Sequence, residues 1–238
     1  MSDRLLIALD VASAADALAL ADRLRGVAGG FKIGSRLFTA EGPRVVAALA
    51  ERGDRVFLDL KFHDIPNTVA TAITAATELG VWMVNVHAAG GTHMMEAALN
   101  AARDAASRAG RTPPLVIAVT VLTSMSEPAL AETGVTGRVM DQVLRLATLT
   151  RAAGLHGVVA SPLETAAIRA ACGDDFIIVT PGIRGAEAVA AKDDQERTMG
   201  PAEAMAAGAS YIVVGRPIIA APDPRQAAER IAAALTSR

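Results

Sequence analysis

The chain has 238 residues, 52% of them apolar and 20% charged, with 23 Lys and Arg against 25 Asp and Glu for a formal charge of −2. That balance excludes a low-hydrophobicity disordered chain and a global basic field for nucleic acid; the length suits one α/β barrel or large sandwich and is too short for two ordinary domains. With one Trp, one Tyr and five Phe, the core must be built mainly from Ala, Val, Leu and Ile.

The opening MSDRLLIALD passes directly into a strand-like run, without the basic and long apolar regions of a signal peptide. Nor does any uninterrupted span of about 20 apolar residues occur, so the expectation is a soluble cytoplasmic protein with no membrane association. The first predicted strand is Leu5 to Asp10, followed by a helical segment from Ala12 with Leu18, Ala21 and Leu24 on one side. Strands two and three fall at Gly30 to Gly34 and Arg55 to Lys61. After Asp64, the positions Ile65, Val69, Ala72, Ala76 and Leu79 trace one helical face, with Pro66 acceptable in the first turn.

Further strands are predicted at Val81 to His87, Pro114 to Leu122, Gly157 to Ser161, Asp175 to Gly182 and Ser210 to Gly215, before a last helix carrying Ala227, Ile231 and Leu235. Most of these eight runs lack polar alternation, and most are spaced widely enough for a crossover helix. Parallel strands buried on both faces read this way. The fold expected is α/β: a single-domain (β/α)8 TIM barrel spanning 1–238, with a doubly wound sheet as the alternative. The short second strand and the short spacing before the seventh are its weakest features. Lys192 to Thr198 and Thr123 to Val139 read as long loops over the catalytic end. The single cysteine, Cys172, cannot form an internal disulfide and is expected to be structural.

Polar residues gather where apolar strands end: Asp10 on the first, Lys32 within the second, Asp59 and Lys61 on the third, and Asp64 in the turn that follows. The i,i+2 spacing of Asp59 and Lys61 puts both on one strand face, where both can point into the barrel mouth. Such a network is either a structural ion-pair cluster at the rim or a catalytic centre, because desolvated charges cost free energy even when paired. Gly215 and Arg216 follow the last strand, and Pro181 to Arg184 the seventh. The loops after these two strands are the usual phosphate corner of a barrel, and Arg offers planar donors suited to phosphate; Arg184 alone reads equally well as a solvated rim residue. His63, His87, His93 and His156 do not form a compact metal-ligand motif. The AAGG run at Ala88 to Gly91 lacks the rest of a dinucleotide-binding pattern, and Met94, Met95 and Leu122 read as packing.

The segment DLKFHDIPNTV, Asp59 to Val69, resembles the signature of the orotidine 5'-phosphate decarboxylase family, and the likeness continues through LLIALD, FKIG, VNVHAAGG, VTVLTS, VVASPLE, PGIR, KDDQERT and YIVVGRPI. This resemblance implies a homodimeric β/α barrel that needs no cofactor or metal and converts orotidine 5'-monophosphate to uridine 5'-monophosphate and carbon dioxide in pyrimidine synthesis. It places the catalytic network on Lys32, Asp59, Lys61 and, from the partner subunit, Asp64, with Lys61 as proton donor and Asp59 beside the departing carboxylate. It further implies that Asp10 and Lys32 contact the ribose, that Ile65 and Thr68 lie at the shared boundary, and that Thr123 and Ser124 face the base. Pro181 would line the apolar wall, while Gly215, Arg216 and Gln195 would hold the phosphate, with Arg184 nearby. Two other readings remain: a related barrel decarboxylase that uses a divalent metal on a sugar acid phosphate, and a phosphate-binding module without catalysis.

Overall fold

Runs such as LLIA and GFKIG carry only one polar side chain between them, Lys32, so each must be covered on both sides, and in the computed structural model every residue of both is buried. The structure describes residues 3–183 and 199–235. Eight strands, β1 (Leu5–Ala8), β2 (Gly30–Gly34), β3 (Val56–Phe62), β4 (Met83–His87), β5 (Leu115–Val119), β6 (Gly157–Val159), β7 (Ile177–Thr180) and β8 (Tyr211–Val214), pair in parallel and in sequence order. β8 returns to β1 through Leu5↔Ile212 and Ile7↔Val214, closing the barrel. Closure settles the choice against a doubly wound sheet, and the short β2 pairs on both sides.

Alternation divides each strand between two cores. Leu6, Ala8, Phe57, Met83, Ile117, Val179 and Val213 fill the barrel interior, while Leu5, Ile7, Leu58, Val84 and Val86 face the helices. Toward the C-terminal end the inward positions turn polar: Phe57 is followed by Asp59 and Lys61, Met83 by Asn85 and His87, and Leu6 and Ala8 by Asp10. At the opposite end Trp82 meets Tyr211 edge to face at 5.3 Å, with the Arg55 guanidinium over the indole.

The helices are α1 (Ala14–Leu24), α2 (Ser35–Glu41), α3 (Arg44–Glu51), α4 (Pro66–Glu78), α5 (Gly91–Arg108), α6 (Glu127–Glu132), α7 (Val139–Ala152), α8 (Thr165–Cys172), α9 (Pro201–Ala206), α10 (Arg216–Ile219) and α11 (Pro224–Ala234). Ser13 and Asp223 cap α1 and α11 through their side chains, and Pro66 takes the first turn of α4, where a missing N–H costs nothing. Three expectations need correction. On α4 the buried face runs through Val69, Ile73 and Ala76, and Ile65 is 67% exposed because it precedes the first helical turn. The stretch Thr123 to Val139 contains α6, started by Ser126, whose Oγ accepts from the Ala129 N–H. Leu122 is exposed rather than packed. Lys192 to Thr198 lies outside the described residues. No described helix is long and apolar enough to cross a membrane.

Candidate active site

The longest strand carries the densest charge. In β3 the segment Leu58 to Phe62 runs opposite only Val84 to Val86 of β4, a bulge of the kind that re-aims side chains at sheet ends. Within it Lys61 has φ +53°, the only described non-glycine residue with positive φ. A side chain held in the left-handed region costs roughly 1–3 kcal/mol and persists only where its surroundings impose it.

Those surroundings are specific. The Lys61 Nζ donates to Asp59 Oδ1 at 2.7 Å, and Lys32 Nζ lies 3.5 Å from Asp59 Oδ2 and 3.3 Å from Asp10 Oδ1. Lys32 is buried and Asp59 nearly so, whereas Lys61 and Asp10 reach solvent at the mouth. The four charges form one chain of alternating sign across β1, β2 and β3. Burial alone would push the Asp59 carboxyl up, but Lys32 and Lys61, with hydrogen bonds from Lys61 and Asn85, hold it below the ordinary carboxylate range. Asp59 is therefore an anion throughout the neutral range, with the Lys61 side chain facing it.

Two further residues shape this network and were not singled out in the sequence. Asn85 is fully buried; its Nδ2 donates to Asp59 Oδ1 at 2.7 Å and its Oδ1 accepts the Lys61 backbone N–H at 2.8 Å. The readable signal was a polar side chain in the middle of the apolar run MVNVH, since a buried amide needs partners. Gly34 lies so close that a Cβ there would come 2.8 Å from Lys32 Nζ and 3.5 Å from Asp10 Oδ1. Beyond β3, His63 stacks obliquely on His87, ring centroids 5.4 Å apart. Burial, followed by His63 and Lys61, pushes the His87 imidazole below its usual range.

The remaining sequence-predicted residues that the structure describes follow strands at the same end. Asp64, Ile65 and Thr68 are exposed at the start of α4, and Asp64 Oδ1 accepts the Ile65 N–H. Among the described residues Asp64 makes no ion pair within its own chain. Thr123 is half-buried and Ser124 exposed just beyond β5, while Pro181 follows β7. Gly215 and Arg216 join β8 to α10, and a Cβ on Gly215 would approach Asp10 Oδ2 at 3.6 Å, which ties that turn to the charged chain. Arg184 and Gln195 lie outside the described residues. Among the described residues no group of three or more His, Cys, Asp or Glu side chains could hold a metal ion, and His156 lies instead at the start of β6, its Nδ1 accepting the Val116 N–H.

A buried anion between two lysines opposes negative charge placed beside it, while the Lys61 ammonium stabilises negative charge developing next to its own Nζ. That suits a reaction in which a carboxylate leaves and a carbanion is protonated.

Known proteins are similar to this chain in sequence and in fold. The family described as "Orotidine 5'-phosphate decarboxylase / HUMPS family" matches residues 3–231. The chain is 56% identical to the orotidine 5'-phosphate decarboxylase of Moorella thermoacetica, covering 98% of this chain and 92% of that protein. It is 54% identical to the enzyme of the same name from Syntrophotalea carbinolica, covering 96% and 93%. The crystal structure of orotidine 5'-phosphate decarboxylase from Lactobacillus acidophilus superposes with a TM-score of 0.86 at 37% identity, covering 98% of this chain and 99% of the other.

Proposed function

We propose, from the premise that the chain belongs to the orotidine 5'-phosphate decarboxylase / HUMPS family, that its charged barrel mouth carries out the decarboxylation for which its relatives are named. The chain converts orotidine 5'-monophosphate to uridine 5'-monophosphate and carbon dioxide, a step of pyrimidine biosynthesis, and it does so without a cofactor. The observation that carries the assignment is the Lys32–Asp59–Lys61 alternation, held around a left-handed Lys61.

In this reading the substrate carboxylate lies against Asp59 and C6 against Lys61 Nζ. As the C–C bond breaks, its electron pair stays on C6, carbon dioxide departs, and the Lys61 ammonium stabilises the carbanion and then protonates it. Repulsion from Asp59 contributes only as far as it is relieved in the transition state, and Lys32 and Lys61 partly neutralise that carboxylate already. Stabilisation by a fixed ammonium is therefore the larger contribution. Lys32 and Asp10 take the ribose hydroxyls, Thr123 and Ser124 the pyrimidine edge, Pro181 the apolar wall, and Gly215 and Arg216 the phosphate.

The site is completed by a second copy of the chain, whose Asp64 and Ile65, with Thr68 nearby, enter this mouth. Support comes from the exposure of Asp64 and of the large apolar Ile65 at the start of α4. The test of the function is product identification after incubation with orotidine 5'-monophosphate in the presence of a metal chelator. Uridine 5'-monophosphate and carbon dioxide in equal amounts support the reading. Activity abolished by the chelator and restored by a divalent cation would move the chain to the metal-using branch, and binding without release of carbon dioxide would make it a binding module.

A further inference from the structure

Lys61 bends the backbone into a conformation that ordinary strand pairing does not support, and its N–H must find an acceptor off the regular ladder. The acceptor is a side chain, Asn85 Oδ1, at 2.8 Å. The same carboxamide donates through Nδ2 to Asp59 Oδ1, the oxygen that also receives Lys61 Nζ, both at 2.7 Å. One planar group thus grips the backbone of the lysine and the carboxylate that faces its ammonium. Its orientation is dictated by its neighbours, since only an oxygen can meet an N–H and only an NH2 can meet a carboxylate. Asn85 is fully buried, so water does not supply either partner.

We infer that Asn85 is a positioning residue for decarboxylation, fixing the Lys61 ammonium relative to Asp59 by clamping the bulge from β4. The inference rests on the reading of Lys61 and Asp59 as the groups that meet the reacting atoms. Asn85 itself touches no substrate; it acts through the pair it holds. A displacement of about 1 Å at such a pair lowers turnover by about 100-fold.

The experiment compares the full-length parent with Asn85→Ala, Asn85→Asp and Lys61→Ala, measuring kcat and KM for orotidine 5'-monophosphate from acid to alkaline pH, with circular dichroism at each pH. Asn85→Ala should lower kcat by about 100-fold, with a much smaller change in KM and no relief at any pH. Asn85→Asp gives the sharper reading. Its new carboxyl faces Asp59 and Lys61 on β3, Lys32 on β2, and His87 on its own strand with His63 behind it. Protonated, it donates O–H to Asp59 and accepts the Lys61 N–H, as the carboxamide does; ionised, it repels Asp59 and loses its donor. The ratio of variant to parent kcat should therefore rise as pH falls, by up to about tenfold per pH unit for a single proton.

A ratio that stays flat with pH, or merely follows the folded fraction, overturns the inference, as does parental kcat in either Asn85 variant. If Asn85→Ala does not fold, the Asn85→Asp profile decides alone, because that protein is compared with itself across pH. Parental turnover in folded Lys61→Ala would instead overturn the catalytic assignment beneath, whereas its loss beside unaffected Asn85 variants removes only the positioning role.

Discussion

The left-handed backbone of Lys61 makes a stability prediction that separates strain from charge. Lys61→Ala and Lys61→Gly both delete the ammonium, and both leave Asp59 with Lys32 at 3.5 Å and Asn85 at 2.7 Å. The electrostatic loss is common to the two and cancels in their comparison. What differs is the Cβ. A left-handed residue bearing a Cβ is disfavoured by about 1–2 kcal/mol, which glycine relieves. Against this, glycine loses about 0.4–1 kcal/mol through the larger entropy of its unfolded state. The balance favours Lys61→Gly by about 0.8 kcal/mol at the centre of a range of about 0–1.6 kcal/mol, an increase in Tm of about 2 °C over Lys61→Ala for a chain of this size. At an ordinary strand position the order is reversed, since glycine there is less stable than alanine by roughly 0.5–1 kcal/mol.

The assay is thermal unfolding of both variants at equal protein concentration, because association of copies would otherwise shift Tm. Both should lack turnover while differing in this direction. Lys61→Gly melting at or below Lys61→Ala, with both proteins folded, would refute the claim that the bulge stores strain at Lys61.

Four other outcomes follow from particular contacts. Gly34→Ala inserts a methyl 2.8 Å from the present position of Lys32 Nζ and should push that ammonium off Asp59 and Asp10, lowering kcat/KM by about tenfold with little change in Tm. Arg169 donates to the carbonyls of Gly173, Asp174, Phe176 and Gly208 and to Ser210 Oγ, tying the turn before β7 to the start of β8; Arg169→Ala should cost about 2–3 kcal/mol, read as a Tm lower by roughly 5–10 °C, with KM unchanged in the folded enzyme. Acidification should destabilise in two stages by unfolding titration. Burial holds the His87 and His156 imidazoles below their usual range, so stability declines as pH falls below about 6.5, where the unfolded histidines take up protons first. Asp59, held below the carboxylate range, keeps its contribution above about pH 4 and loses it as pH falls through its folded value; His156→Gln should shrink the first stage to the part due to His87 and leave the second unchanged. Mixing inactive Lys61→Ala with inactive Asp64→Ala should restore activity through heterodimers in which one of the two sites is intact, and no recovery in demonstrated heterodimers would reject the shared site.

Much of this arrangement is legible in the sequence because a parallel barrel buries both faces of its strands, so polar residues stand out against apolar runs. Asp10, Lys32, Asp59, Pro181 and Gly215 each stand an even number of residues beyond an inward-facing position of the same strand. Alternation carried that far suffices to gather them at one mouth. The apolar face of α4 was less readable, since Ile65 has the helical spacing of a core residue yet precedes the helix and faces solvent. Spacing reports the face a residue would occupy within a helix and carries no mark of where the helix begins.

Lys61 shows a deeper limit of period-two reasoning. Its separation of two from Asp59 suggested a regular strand, and the structure does join the pair, but through a bulge and a positive φ that alternation does not encode. The bulge requires something across the sheet to take the displaced N–H, and that requirement falls on Asn85. Removing the bulge would let β3 pair regularly with β4 and take the Lys61 N–H away from Asn85 Oδ1, leaving that buried acceptor unmatched at a cost of about 1–3 kcal/mol. Retaining it strains Lys61 but satisfies the amide and fixes the ammonium on Asp59. Strand irregularity, buried amide and charged pair are thus one device distributed over two strands. Its parts lie 24 to 26 residues apart in sequence, which is why the polar asparagine within MVNVH acquires meaning only when β3 and β4 are placed side by side.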